Sequence, residues 1–308
     1  MSPRVVYMGS PEFAVPPLRA IHDNFQLVGV MTQPDKPKGR GRKTEPTAVK
    51  AAAVAMNIPV TEPENLSSPD IIDQLKQWSP DVIVVAAYGK ILPRTVLAFP
   101  PMGCINLHAS LLPRHRGASP ISAAILEGDK VTGVCTILMD EGMDTGGILV
   151  EKEIPISGRD TAGSLHDKLL EPGADLVVET LRRMVRGDIR PKPQNAAAAT
   201  YTRPLTKEDG RMDWNRDAEY LDRLVRAVNP WPGAFFTSGE ETVKVWEAEV
   251  EQGECIPGSV AELTRDVVFV GTGEGLLRLC CVQAPGKKRM SAGEFARGRR
   301  LKAGDILA

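Results

Sequence analysis

The chain has 308 residues, 42 % hydrophobic and 25 % charged, which is ordinary globular composition with length for about two packed cores. That excludes disordered and fibrous architectures. Lys and Arg total 38 against 39 Asp and Glu, a net charge of −1, so no chain-wide basic field marks a nucleic-acid binder and any polyanion site must be local. The five cysteines contain no C-x-x-C pair, which argues against a disulfide framework or a zinc knuckle. The longest apolar run, 82–88, falls far short of the roughly 20 residues a spanning helix needs. The expected setting is a reducing, cytoplasmic one with no membrane association.

Through residue 190, short β-branched runs alternate with segments of helical period, the pattern of an α/β domain with a mostly parallel sheet. In chain order the spacing predicts a strand at 5–8, a helix at 12–22, a strand at 27–32, helices at 48–56 and 70–78, and strands at 82–87 and 104–107. A helix at 120–126, strands at 133–139 and 148–154, and a long helix at 162–185 complete the domain. Residues 191–206, with three prolines and a run of four alanines, read as an extended linker. Residues 207–308 then predict a helix at 218–228 and strands at 234–237, 243–247, 267–270 and 276–282, a small β-rich barrel or sandwich.

Asn106 and His108 lie two apart at the end of a predicted strand, so their side chains leave on one face. At the carboxyl end of a parallel strand they would open into the crevice where ligands bind in open α/β sheets. A buried strand-end histidine beside a turn asparagine is the bland alternative. The acidic, glycine-rich turn 139–147 could bring Asp144 over His108, or be only a turn. No second histidine at helical spacing supports a metal, no G-x-S-x-G supports a serine hydrolase, and no G-x-G-x-x-G supports a dinucleotide.

Lys36, Lys38, Arg40, Arg42 and Lys43 crowd a Pro/Gly-rich stretch that is either a solvated loop or an insertion that follows phosphates. Lys287, Lys288 and Arg289 begin a second basic cluster, continued by Arg297, Arg299, Arg300 and Lys302. The turn at Trp231 reads as a structural corner.

The motifs Asn106-x-His108, Ser110-Leu-Leu-Pro113 and Asp144-Thr-Gly146 resemble the folate-dependent formyltransferases. The likeness extends to Thr32-Gln-Pro-Asp35, Ala87-Tyr-Gly89, Ile91-Leu-Pro93, Arg116-Gly-Ala118, Asn229-Pro-Trp-Pro-Gly233 and Val243-Lys-Val-Trp246, spread over nearly the whole chain. His115 departs from the commonest pattern, in which a tryptophan is frequent there. The resemblance implies a Rossmann-like catalytic domain (1–190), a linker (191–206) and an OB-like barrel (207–308) that binds tRNA. It implies transfer of a formyl group from 10-formyltetrahydrofolate, a co-substrate, to the α-amine of methionyl initiator tRNA, without a metal, by a monomer.

On this resemblance Asn106, His108 and Asp144 are catalytic, and Asp144 would favour the imidazolium of His108. Ile91, Leu92, Asp140, Ser110, Leu111, Leu112 and Pro113 would line the folate pocket, and the two basic clusters would meet tRNA phosphates. An amino-sugar nucleotide or another small amine is the alternative acceptor. A glycinamide-ribonucleotide enzyme would want a glycine-rich first loop and a shorter chain. A non-catalytic tRNA-binding module would have no need of the three polar residues.

Overall fold

The computed structural model describes residues 2–38 and 43–308, which divide into two compact units. The first comprises Met1–Pro120, Val131–Pro155 and His166–Thr202, and the second Ile121–Lys130, Ile156–Leu165 and Arg203–Ala308. Residues 191–206, expected as a linker, are therefore divided at Thr202 between the two units.

The first unit begins with β1 (Arg4–Gly9), α1 (Val15–Asn24) and β2 (Gln26–Met31). Short β3 (Lys36–Lys38) and β4 (Lys43–Glu45) pair antiparallel, so the flanks of the basic stretch are strands rather than loop. Then come α2 (Ala48–Ala55), β5 (Val60–Thr61), α3 (Pro69–Trp78), β6 (Val82–Ala86), α4 (Arg94–Leu97), β7 (Cys104–His108) and β8 (Arg116–Gly117). After α5 (Pro120–Leu126), which past its first residue belongs to the second unit, the chain adds β9 (Val131–Leu138), β10 (Gly147–Pro155), α6 (Ala162–Arg186), whose first four residues also belong to the second unit, and β11 (Tyr201–Thr202). Thr47 caps α2, its hydroxyl accepting the Lys50 amide, and Pro69 opens α3 where its missing N–H costs nothing.

The main sheet has the order β10-β9-β7-β6-β1-β2-β5. It is parallel from β5 to β7, with β9 antiparallel to β7 and β10 to β9. Strand β6, Val-Ile-Val-Val-Ala, is buried along its whole length, as a parallel strand covered on both faces must be. Each of its Val and Ile side chains contributes about 1.5–3 kcal/mol relative to exposure. At Gly29 in β2 an added Cβ would fall 2.4 Å from the Trp78 indole, so glycine lets α3 pack close. Gly29→Ala should cost about 1–3 kcal/mol through overpacking, read as a lower urea midpoint at unchanged slope. A midpoint equal to the parent's would show that Trp78 simply turns aside.

The second unit contains α7 (Ala218–Ala227), β12 (Ala234–Ser238), β13 (Glu241–Glu251), β14 (Val260–Leu263), β15 (Val268–Gly271), β16 (Leu276–Gln283), β17 (Met290–Ser291) and α8 (Ala292–Arg299). Its antiparallel sheet runs β12-β13-β16-β15-β14, with β17 on β16. The backbone of 304–308 bonds to Val260 and Gly258 on one side and to Thr237 on the other, bridging the two edge strands as an OB-like barrel requires. Trp214, Phe236 and Phe295 pack through its core in tilted and edge-on contacts, at ring separations of 6.0 and 6.4 Å. Helix α8 escapes a sequence reading because two glycines interrupt it. The Ser291 cap and burial of Phe295 hold it. Among the described residues no helix is long and apolar enough to cross a membrane.

Candidate active site

Strand β7 ends the parallel run of the sheet, and Asn106 and His108 leave its carboxyl end on one face. On the opposite face α6 packs close: a Cβ at Gly173 would lie 3.1 Å from the Leu107 side chain. The β9–β10 connection carries Asp144 to the same place. Asn106 Nδ2 donates to Asp144 Oδ1 at 3.1 Å, the Gly117 amide donates to Asp144 Oδ2 at 2.8 Å, and that oxygen stands 3.6 Å from His108 Nδ1. The last contact is electrostatic rather than a hydrogen bond. The three residues proposed from sequence are thus assembled within one unit.

His108 is buried, and its Nε2 lies 3.0 Å from the His115 carbonyl oxygen. A carbonyl only accepts, so Nε2 carries the hydrogen and Nδ1 of the neutral ring is the free base, facing Asp144. Burial lowers the His108 pKa more than Asp144 and the His115 carbonyl raise it. Asp144 does favour the imidazolium of His108, as expected from the sequence, but desolvation of the buried ring outweighs it and favours the neutral form.

The backbone is bent where it delivers these groups. Asp144 and His115 adopt left-handed conformations, φ 54° and 58°, uncommon for residues with a Cβ and concentrated at functional sites. At Gly117, φ 108°, a Cβ would meet the Thr202 carbonyl oxygen at 2.2 Å, so glycine permits β8 to lie against β11.

The other predicted residues divide by exposure. Ser110 is fully buried, its hydroxyl donating to the Arg114 carbonyl at 2.7 Å. Leu112 packs with Cys135 and Ile137, and Leu92 lies in the core beside Tyr88 and Val96. Their side chains shape the loop and the core. Leu111 and Pro113 are half-buried, and Ile91 is 87 % exposed, an apolar side chain left in water. Asp140 closes its own turn, accepting from the Gly142 amide at 3.0 Å and the Thr145 hydroxyl at 2.5 Å. Cys104 shares strand parity with Asn106 but sits deeper, its Sγ near the Val96 and Leu97 carbonyls, and burial pushes its thiol up to about 12.

Of the basic residues, Lys36, Lys38 and Lys43 lie on β3 and β4, whereas Arg40 and Arg42 fall outside the described residues. Lys287, Lys288 and Arg289 occupy the exposed turn between β16 and β17. That turn is braced. Trp246 Nε1 donates to Gln283 Oε1 at 3.0 Å, Gln283 Nε2 donates to the Lys287 carbonyl at 2.8 Å, and the Arg289 guanidinium stacks 3.9 Å from the Trp246 ring centre. Arg299 pairs with Glu241, and Arg297 donates to the Arg265 carbonyl, so these two are already engaged.

Sequence reasoning missed the segment that touches the site from 191–202. Gln194, Thr200 and Tyr201 contact Asp144, Gly146, His115 and Arg116. No periodicity or motif signals this, because the segment has no regular element long enough to carry one.

Two family models place this fold among group-transfer enzymes. The formyl transferase model matches residues 4–181 and the formyl transferase C-terminal domain model matches 204–300, and the chain belongs to the formyl transferase family. It is 45 % identical over 305 residues to the methionyl-tRNA formyltransferase of Thermodesulfovibrio yellowstonii, covering 99 % of this chain and 98 % of that protein. It is also 45 % identical to that of Marinobacter nauticus, covering 96 % of each. Among solved structures, a sugar 3N-formyl transferase with dTDP and 5-N-formyl-THF superposes with TM-score 0.69 at 17 % identity, over 94 % of this chain and 100 % of that one. HypX from Aquifex aeolicus in complex with tetrahydrofolic acid gives 0.62 at 19 %, over 100 % of this chain and 51 % of that one. At such identities these two speak for the fold alone.

Proposed function

We propose that this enzyme transfers the formyl group of 10-formyltetrahydrofolate to the α-amine of methionyl initiator tRNA. The observation that carries the proposal is the 45 % identity to a methionyl-tRNA formyltransferase over 99 % of the chain, through both units. The site supports the chemistry. The amine attacks the formyl carbon, a tetrahedral oxyanion forms, and the bond to the folate nitrogen breaks as that nitrogen gains a proton. One Asn106 amide hydrogen is held by Asp144, leaving the other to donate to the oxyanion. His108 Nδ1 accepts the proton released by the attacking amine, and Asp144 stabilises the imidazolium that results. Folate would lie along Ile91, Leu111, Pro113 and the Asp140–Asp144 turn, with Leu92, Ser110 and Leu112 supporting its floor. N-Formylmethionine recovered by mass spectrometry after hydrolysis of tRNA treated with enzyme and donor is the expected product. Unmodified methionine after complete donor consumption would refute the acceptor.

The basic stretch at 36–43 and the turn at 287–289 would grip phosphates of the tRNA. Arg42→Ala should then raise KM for tRNA with little change in KM for the folate, and should flatten the dependence of log(kcat/KM) on log salt by about one phosphate contact. Identical salt slopes for variant and parent would remove Arg42 from the tRNA contacts.

A further inference from the structure

We propose that Gln194 is a positioning residue for formyl transfer: its side-chain amide ties the turn bearing Asp144 to Arg116 and so fixes the carboxylate against Asn106 and His108. The proposal rests on the function proposed above, and its ground is a hydrogen-bond arrangement that uses every group of the amide. Gln194 Nε2 donates to the Asp144 carbonyl at 2.8 Å and to the Gly146 carbonyl at 2.7 Å. Its Oε1 accepts from Arg116 Nε at 3.1 Å and Nη2 at 2.7 Å. An amide has two donors and one accepting oxygen. A carboxylate in the same place could serve Arg116 but would offer nothing to two carbonyls.

Arg116 is buried. Its guanidinium is satisfied by Gln194 and by the Tyr201 hydroxyl at 3.2 Å, and it lies over the Tyr201 ring at 5.8 Å. From the other side, the Thr200 hydroxyl accepts the His115 amide at 2.8 Å and the Thr200 carbonyl accepts the Arg116 amide at 2.9 Å. Residues 194–201 therefore form a strap over both halves of the site, the left-handed Asp144 turn and the left-handed His115 that receives the His108 hydrogen. Asp144 sits in a left-handed turn, a conformation aspartate accepts more readily than most residues with a Cβ, and the amide ties that turn from outside, holding the carboxylate within reach of Asn106 and the Gly117 amide. A displacement of about 1 Å at such a group can cost about 100-fold in rate.

The test compares Gln194→Ala, Gln194→Glu and Asp144→Asn, singly and as the pairs with Asp144→Asn. The expected result is a drop in kcat of about 10- to 100-fold in both Gln194 variants, with smaller changes in KM for folate and tRNA. In the Asp144→Asn background the further loss from Gln194→Ala should shrink to less than about threefold, because a group acting through Asp144 has little left to disturb. Restoration of activity by Gln194→Glu would mean that only the Arg116 charge needed answering, and full additivity of the two losses would mean an independent structural role; either overturns the proposal. The Gly117 amide, which donates to Asp144 Oδ2, gives a readout needing no substrate. In Gln194→Ala its hydrogen exchange should quicken at least about tenfold while amides of β6 are unchanged, and unchanged protection would overturn the proposal. If the parent enzyme formylated no tRNA, the function above would fail while the Gly117 readout still judged Gln194.

Discussion

Asn106→Ala should lower kcat by about 100-fold or more while binding of the folate donor changes little. The magnitude is that of one preorganised donor removed from a developing oxyanion, about 2.7–4 kcal/mol. Asn106 is suited to the task because its amide is oriented before substrate arrives: one hydrogen is spent on Asp144 Oδ1 at 3.1 Å, which points the other away from the carboxylate. The same contact adds a second cost, since alanine leaves Asp144 Oδ1 without that donor. Asn106→Asp should do no better, because it sets two carboxylates against each other at hydrogen-bond distance. Steady-state kinetics with a direct folate-binding titration separate the effects. Activity equal to the parent's in Asn106→Ala would remove Asn106 from the mechanism.

Asp144→Asn should slow turnover by a comparable factor and move the acid limb of the kcat profile. His108 must be neutral to accept a proton, so kcat rises with pH through its pKa and then levels. Burial holds that pKa below the usual imidazole range, and the level part is therefore reached by neutral pH. The Asp144 charge acts in the opposite direction, raising the His108 pKa from 3.6 Å away. Removing it leaves only the His115 carbonyl to oppose desolvation, so the acid limb shifts to lower pH. The plateau falls because the imidazolium formed during transfer loses its counter-charge. A profile lowered at every pH without lateral shift would show that Asp144 places groups without tuning His108.

The part of this site carried on regular structure was legible in the residues. Period-two spacing put Asn106 and His108 on one face of a parallel strand, and the fold places them at its carboxyl end. Parity alone misleads at Cys104, which shares that face yet ends against helix carbonyls in the core, since depth along a strand is a tertiary property. The β-rich second half was readable from its alternation, but β14, four residues long, and the glycine-interrupted α8 were not. Desolvation of His108 and the strap from Gln194 to Tyr201 are set by packing between segments far apart in sequence. Gln194 reaches Asp144 across 50 residues, and no local pattern encodes such a bond. The proline- and alanine-rich stretch 191–206 read as an extended linker, and within it Gln194, Thr200 and Tyr201 are tied to Asp144, His115 and Arg116 by side-chain hydrogen bonds that composition does not reveal.

The central claim, formyl transfer to an aminoacylated initiator tRNA by the Asn106, His108 and Asp144 site, is tested most directly by following tetrahydrofolate release from 10-formyltetrahydrofolate. The acceptors, supplied in parallel, are methionyl initiator tRNA, methionyl elongator tRNA, glycinamide ribonucleotide and a UDP-amino sugar. The account predicts release with initiator tRNA at a rate far above that with the other three, and a rate lowered about 100-fold or more in Asn106→Ala. Turnover of the amino sugar or the ribonucleotide in place of the tRNA, by the same folded protein, would contradict it.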